Sequence, residues 1–327
     1  MKVHEEADGV FRIPVHNPFG VYPTNVYLLV GDRMGLFDVG PGYRRTWEDL
    51  SGALSQLAMR PEDVEVVILS HGHADHDGLA HHFSWASILI HQADLLKISD
   101  YNGHLDRYEE AVRAVMPTWG VSSEVSETIP GFFTWLRAAG DPAPWAETIA
   151  DGADLQGLGG SWQVLALPGH TEGLIGLYRA RDRLLISSDQ LLETTVPNPG
   201  FYLVGTTYAG NGMADYERSL HRLAQMSVGR VLPGHGPAFA DCSGRVAHFL
   251  AQYEERLDQA EAALQGPSTV HQVAERLFPG CDAGNPYHVF ITHMEAVGRL
   301  SVLVERGRAL RLEGLSGGPD RYSRSGR

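Results

Sequence analysis

The sequence predicts an α/β fold, on three observations. Short apolar runs, β-branched or leucine-rich, recur through the first 240 residues. Segments with helical spacing lie between them. Four of the runs end in a histidine or an aspartate, so these strands would deliver polar side chains at their C-terminal ends.

The elements follow in order. Val26–Val30 and Met34–Val39 are apolar runs separated by Gly31-Asp32, a hairpin signal. Thr46–Met59 has Trp47, Leu50, Leu54 and Leu57 on one helical face. Val64–Leu69 (VEVVIL) reads as a buried strand running into Ser70-His71, and the stretch after Asp77-Gly78 has helical character. Ala86–His91 is another short strand. Strands resume at Trp162–Leu167, Leu174–Tyr178, Leu184–Ser187 and Arg230–Leu232.

Between Lys97 and Asp154 the pattern changes. Helical stretches such as Leu105–Met116 mix with Pro117, Pro130, Pro142 and Pro144 and with Trp119, Phe132, Phe133, Trp135 and Trp145. That is too long for a plain connection, and it reads as an inserted cap or lid. Ten acids against four bases give this segment a net charge of −6. After residue 240 the chain turns helical: Arg245–Leu264 is amphipathic and stopped by Gly266-Pro267. Thr269 and Gln272 form a capping box for a helix ending near Phe278-Pro279. A helix over Tyr287–Glu305 and a short strand over Arg308–Glu313 follow, and the Gly, Ser and Arg-rich tail Gly314–Arg327 reads as disordered. The length of 327 residues fits two domains, 1–240 and a helical 241–327.

Composition narrows the function. The formal charge is −14, and Lys2 and Lys97 are the only lysines, so a nucleic-acid phosphate backbone is a disfavoured partner without a local basic patch. Cys242 and Cys281 form neither a CxxC pair nor a disulfide framework. The N-terminus lacks the apolar stretch of a secretory signal, and no run approaches the roughly 18 apolar residues of a membrane span. A cytoplasmic protein without membrane attachment is expected. Sixteen histidines are the one oddity.

Residues 70–78 account for part of that excess. Ser70-His71-Gly72-His73-Ala74-Asp75-His76-Asp77-Gly78 places four metal-capable side chains within six residues on the loop leaving VEVVIL. An HxH pair on extended backbone turns both imidazoles to one side. The Asp-His pair then enters a helix and offers a carboxylate and an imidazole to a second point. Three other strands end likewise: in Pro168-Gly169-His170, in Ser187-Ser188-Asp189 and in Pro233-Gly234-His235. Singly, a histidine after Pro-Gly is an ordinary turn residue. Together the four segments supply five histidines and two aspartates, enough for two metals sharing a bridging carboxylate and a bridging water.

In this ordered set, His71 to His76 as HxHxDH and then His170, Asp189 and His235, the chain resembles the metallo-β-lactamase superfamily over roughly residues 10–240. The resemblance implies an αββα sandwich with the site along one edge between two sheets. It implies one metal on His71, His73 and His170, a second on Asp75, His76 and His235, and Asp189 as the bridge. It also implies that Asp38, in Phe37-Asp38-Val39-Gly40-Pro41-Gly42, orients a metal ligand. Two divalent cations would bring a bridging water's pKa towards neutrality, and one would polarise the substrate oxygen. Asp75 is the catalytic carboxylate of this reading, taking a proton from the nucleophile or passing one to the leaving group. No serine or cysteine nucleophile is required.

A histidine at position 73 favours hydrolysis, with zinc as the expected metal and iron or manganese as alternatives. It leaves open the mononuclear-iron persulfide dioxygenases, which share HxHxDH. Pro14–Leu29, Pro233–Pro237 and the helical C-terminus resemble the branch holding glyoxalase II-like thioesterases and the β-lactamase-like-protein-2 group, whose C-terminal domain is winged-helix-like. The expectation is hydrolysis of a small-molecule thioester, ester or lactone under an aromatic lid. The alternative is a metal-dependent ribonuclease, kept open by Arg299, Arg306, Arg308, Arg311, Arg321, Arg324 and Arg327.

Overall fold

The computed structural model describes residues 2–19, 22–199, 201–204, 207–281, 284–314 and 318–326. Among these residues sixteen strands are numbered along the chain. The first seven are β1 (His4–Ala7), β2 (Val10–Val15), β3 (Thr24–Val30), β4 (Met34–Phe37), β5 (Val66–Ile68), β6 (Ser87–His91) and β7 (Glu147–Ile149). They pair in sequence order into one sheet, antiparallel from β1 to β4 and parallel from β4 to β7. The next are β8 (Asp154–Leu155), β9 (Trp162–Ala166), β10 (Ile175–Arg179), β11 (Leu184–Ser188), the hairpin β12 (Phe201–Val204) and β13 (Thr207–Asn211), and β14 (Arg230–Pro233). Five of these form the second sheet, in the order β14-β11-β10-β9-β8.

Strand residues alternate between two apolar environments, as the period of two requires. Tyr27, Leu29 and Phe37 from the first sheet meet Trp162, Val164, Leu177 and Ile186 from the second, forming the core between the sheets. Val26, Leu28 and Leu36 turn outward onto Leu50 and Leu54 of α1 (Arg44–Gln56). On the far side, Leu165, Leu185 and Val231 face helices numbered below as α7 and α8. Both faces of each sheet are covered, so the strands read as continuous apolar runs. Helix, sheet, sheet and helix stack as four layers: the αββα sandwich.

The remaining helices are α2 (Ala74–Asp77), α3 (Leu95–Ser99), α4 (Tyr101–Val115), α5 (Ser123–Ser126), α6 (Ile129–Arg137), α7 (Gly212–Ala224), α8 (Cys242–Ala263), α9 (Val270–Leu277) and α10 (Pro286–Glu305). Insertion and C-terminus share one apolar core: Val112, Trp119 and Phe133 pack with Leu257, Val273, Val297 and Leu300. The capping box of α9 is present, with the Thr269 hydroxyl accepting from the Gln272 N–H at 3.2 Å and the Gln272 side chain accepting from the Thr269 N–H.

Several expectations change. The helical stretch after Gly78 is one 3-10 turn, Ala80–His82, because Leu79, Ala80 and Phe83 dip into the outer core beside α1. The 97–154 segment is helical only in its first part; its last residues supply β7 and β8 to the two sheets. The C-terminal tail is ordered where it is described. Arg321–Arg324 (β16) pairs antiparallel with Ala309–Leu312 (β15), and Tyr322 is buried and exchanges backbone hydrogen bonds with Ser268. One buried tyrosine anchors a segment whose composition otherwise signals disorder; residues 315–317 and 327 lie outside the described set.

Candidate metal centre

The ligand-type residues all leave the C-terminal ends of strands along one edge of the sandwich. His71 follows β5, His170 follows β9, Asp189 follows β11 directly, and His235 follows β14. His73 precedes α2 and Asp75 and His76 sit within it. Glycine is needed at two of the turns. Gly169 has φ +147° with the Tyr216 backbone against it, and a Cβ on Gly234 would lie 2.2 Å from Asp189 Oδ1.

All seven side chains meet. His71 Nε2 and His170 Nε2 each lie 3.0 Å from His73 Nδ1. Nδ1 of His73 has one in-plane lone pair and cannot accept in-plane bonds from two rings at once, so three nitrogens aimed at one point describe a cation site. Opposite, His76 Nε2 lies 3.2 Å from His235 Nε2, and Asp75 Oδ2 is 3.4 Å from His235 Nε2. Asp189 Oδ2 stands between the groups, 3.6 Å from His170 Nε2, 3.5 Å from His76 Nε2 and 3.4 Å from His235 Nε2. Its other oxygen, Oδ1, is buried without a hydrogen-bond partner, which a bound cation would satisfy. His71–His73–His170, His71–His76–Asp189 and Asp75–His76–His235 are each compact enough to hold a metal ion.

Which nitrogen faces inward is set from outside. His170 Nδ1 donates to the Asn198 carbonyl at 2.9 Å and His235 Nδ1 to the Pro23 carbonyl at 3.1 Å, since a carbonyl can only accept. His76 Nδ1 donates to Asp38 Oδ2 at 2.9 Å. The Ser70 hydroxyl donates to Asp38 Oδ2 at 2.8 Å, so its lone pairs accept from Ser188 Oγ and from His71 Nδ1, both at 2.8 Å. Four histidines thus turn Nε2 inward, the nitrogen left for a metal once any proton on it is displaced. Asp38 and Ser188 hold this network at φ 61° and 47°, left-handed backbone that costs a non-glycine residue about 1 kcal/mol or more.

Electrostatics divide the cluster. Burial, reinforced by neighbouring imidazoles, pushes the pKa of His71 well down, and burial with the nearby His170 and Lys97 pushes His73 to about 3. These rings stay neutral. Burial also opposes charging His76 and His235, but the surrounding carboxylates, Asp189 foremost, outweigh it: His76 is raised well above its ordinary value and His235 to about 10. In turn Asp189 is held ionised, its burial outweighed by His235 and His76. The second group carries charge that a cation would replace.

Several contributors carry no sequence signal. Asn17 Nδ2 donates to Asp75 Oδ2 at 3.1 Å from the loop before β3. Buried Asp94, after β6, accepts from the Gly72 N–H and the Thr171 hydroxyl. Ser70 had a signal, its place beside His71. Cys242 and Cys281 take no part; both are free, and Cys242 is buried in the outer core on α8.

Comparison with known proteins agrees with this geometry. Residues 19–235 match the family model described as the metallo-beta-lactamase superfamily. A probable metallo-hydrolase of Bacillus subtilis, YqjP, is 30% identical over 303 residues, spanning 91% of this chain and 92% of that protein. A beta-lactamase-like protein 2 homolog of Caenorhabditis elegans is 27% identical over 257 residues, covering 78% of this chain and 70% of the relative. The crystal structure of a metallo-beta-lactamase family protein from Thermus thermophilus, TTHA1429, superimposes with a TM-score of 0.83 at 28% identity, over 97% of this chain and 99% of that one. The chain belongs to the metallo-beta-lactamase superfamily, among its metal-dependent hydrolases.

Proposed function

We propose that the protein hydrolyses a small thioester, ester or lactone at a dinuclear metal centre. The observation that carries this is Asp189, whose Oδ2 stands within 3.6 Å of ring nitrogens from both histidine groups and whose Oδ1 has no partner. His71, His73 and His170 would hold one ion, Asp75, His76 and His235 the other, and Asp189 both. Zinc suits this nitrogen-rich set, with iron or manganese as alternatives. Such a pair of ions would supply a hydroxide-strength nucleophile at neutral pH and a Lewis acid for the substrate oxygen. Asp75 keeps a 21% exposed side chain against 10% for Asp189, which supports it as the carboxylate that moves a proton between nucleophile and leaving group. Asn17 orients it through the bond to Oδ2.

The ribonuclease alternative loses its main support. Arg306 binds Glu217 and Glu254, Arg308 binds Asp258 and Glu261, Arg299 binds Glu295, and Arg311 binds Asp320. Arg321 and Arg324 donate to the carbonyls of Pro267 and Glu261. These guanidinium groups tie the C-terminal unit together and leave little field for a phosphate backbone. The order α9, α10 and then the hairpin β15–β16 supports reading residues 241–327 as winged-helix-like. Both cysteines are free thiols, in keeping with a cytoplasmic setting.

Metal analysis of the purified protein should find close to two ions per chain; a single iron would favour the persulfide dioxygenase reading. A panel of thioesters, lactones and short RNAs should show turnover of the first two, and turnover of RNA alone would overturn the substrate reading. His71→Ala and Asp189→Ala should each abolish activity.

A further inference from the structure

Neither the 97–154 insertion nor the C-terminal helices supply one of the seven ligand-type residues, yet rings from both continue the loop that carries Asn17. Asn17, which donates to Asp75, also accepts the Phe19 N–H at 2.8 Å, so Phe19 stands two residues from the group that orients this carboxylate. The Phe19 ring meets Trp135 of α6 edge-on, with centroids 4.1 Å apart. Trp135 is 6.2 Å from Phe132, and Phe132 is 5.7 Å from Tyr287 in the first turn of α10. Four rings from three separate segments thus form an arc that starts beside the Asn17–Asp75 hydrogen bond.

The arc is open and apolar. Trp135 is 37% exposed and Tyr287 40%, while Phe132 beneath them is buried in the core that α6 shares with α10. None of the four rings carries a charge. Exposed rings beside a hydrolytic centre, set on a rigid base, fit an uncharged hydrocarbon and repel an anion. Resting on the hydrolase reading above, we infer that Phe19, Phe132, Trp135 and Tyr287 form the subsite for the substrate's acyl chain, and that this chain is apolar and of medium length. The insertion and the C-terminal unit then have a common purpose: α6 and α10 pack together to hold the two walls of the subsite in register. A four-ring arc offers more contact than an acetyl group can use.

The test is a chain-length series of N-acetylcysteamine thioesters with acetyl, hexanoyl and decanoyl groups, followed by thiol release. For the wild type, kcat/KM should rise about two- to threefold for each added methylene over the first few carbons, since each CH2 leaves water for a ring surface. Trp135→Ala and Tyr287→Ala should cost more as the chain lengthens, reaching tenfold or more with decanoyl, chiefly through KM. Trp85→Ala, 47% exposed elsewhere on the surface, is the control and should change nothing. Turnover that is indifferent to chain length, or variants that lose all three substrates equally, would overturn the subsite and leave the hydrolase reading intact. If none of the three thioesters is cleaved the thioester reading fails, and binding of uncharged decanamide by calorimetry decides the subsite. Binding that weakens tenfold in Tyr287→Ala supports it, and absent or unchanged binding refutes it.

Discussion

Asp94 and Thr171 are joined by a 2.9 Å hydrogen bond from hydroxyl to carboxylate, and through it two separate ligand loops share one anchor. The same oxygen accepts the N–H of Gly72, between His71 and His73, while Thr171 is the neighbour of His170. Lys97 Nζ sits 2.7 Å from the other oxygen and balances the charge of a carboxylate that is otherwise fully buried. The three histidines of one group thus owe their common geometry to an aspartate outside every motif.

Asp94→Asn keeps the size and loses the charge. Losing such a supporting partner weakens metal affinity by about 10- to 100-fold in general, and that loss is expected here. A competition titration against a chromophoric chelator reads it directly. Native circular dichroism with undiminished metal affinity would rule the anchor out.

Asp38 serves the other group. It accepts from the Ser70 N–H at 2.7 Å, the Ser70 hydroxyl and His76 Nδ1. Asp38→Ala strands these buried donors at a cost of about 2–4 kcal/mol in stability. Asn tolerates the left-handed backbone at φ 61°, so Asp38→Asn should unfold at a higher temperature than Asp38→Ala while still binding metal less tightly than the wild type. Equal melting temperatures for the two variants would contradict this.

Acid should act through His293 on α10. Its Nδ1 donates to the Val289 carbonyl at 2.7 Å and its Nε2 accepts from His271 at 2.8 Å, with Trp119 stacked alongside. Burial lowers its pKa to about 4. Below an unfolded value near 6.5 the unfolded chain binds a proton that the native chain refuses, so this contribution is lost as pH falls from about 6.5 to 4. The shift corresponds to roughly 3 kcal/mol at most. His293→Gln should flatten the fall of melting temperature across that window, and parallel curves for variant and wild type would show that His293 contributes nothing.

Arg306 joins α10 to Glu217 of α7 and Glu254 of α8 at 2.6 and 2.7 Å. The groups are partly exposed, so Arg306→Ala should cost only about 1 kcal/mol, read as a small drop in urea midpoint. Activity on a small ester should be unchanged. A large loss of RNA binding in this variant, with stability intact, would revive the nuclease reading.

Much of the fold was legible because its strands are buried on both faces and so read as unbroken apolar runs, VEVVIL above all. The candidate ligands were legible because each follows such a run. What escaped was short or context-dependent. β7, with the sequence Glu147-Thr148-Ile149, is too brief to show a period and exists because β6 offers it an edge. The Gly, Ser and Arg of the tail hid a strand held by one tyrosine, Tyr322.

The sequence by itself determined the family and the seven ligand-type side chains, since the spacing of HxHxDH and the strand-end positions are local properties of the chain. Only the tertiary structure decided what surrounds them. Asn17 lies 58 positions from Asp75, Asp94 lies 77 from Thr171, and Trp135 and Tyr287 approach through a core shared by α6 and α10. Hydrogen bonds and ring contacts act over a few ångströms of space, whatever the separation along the chain, so no local pattern announces them.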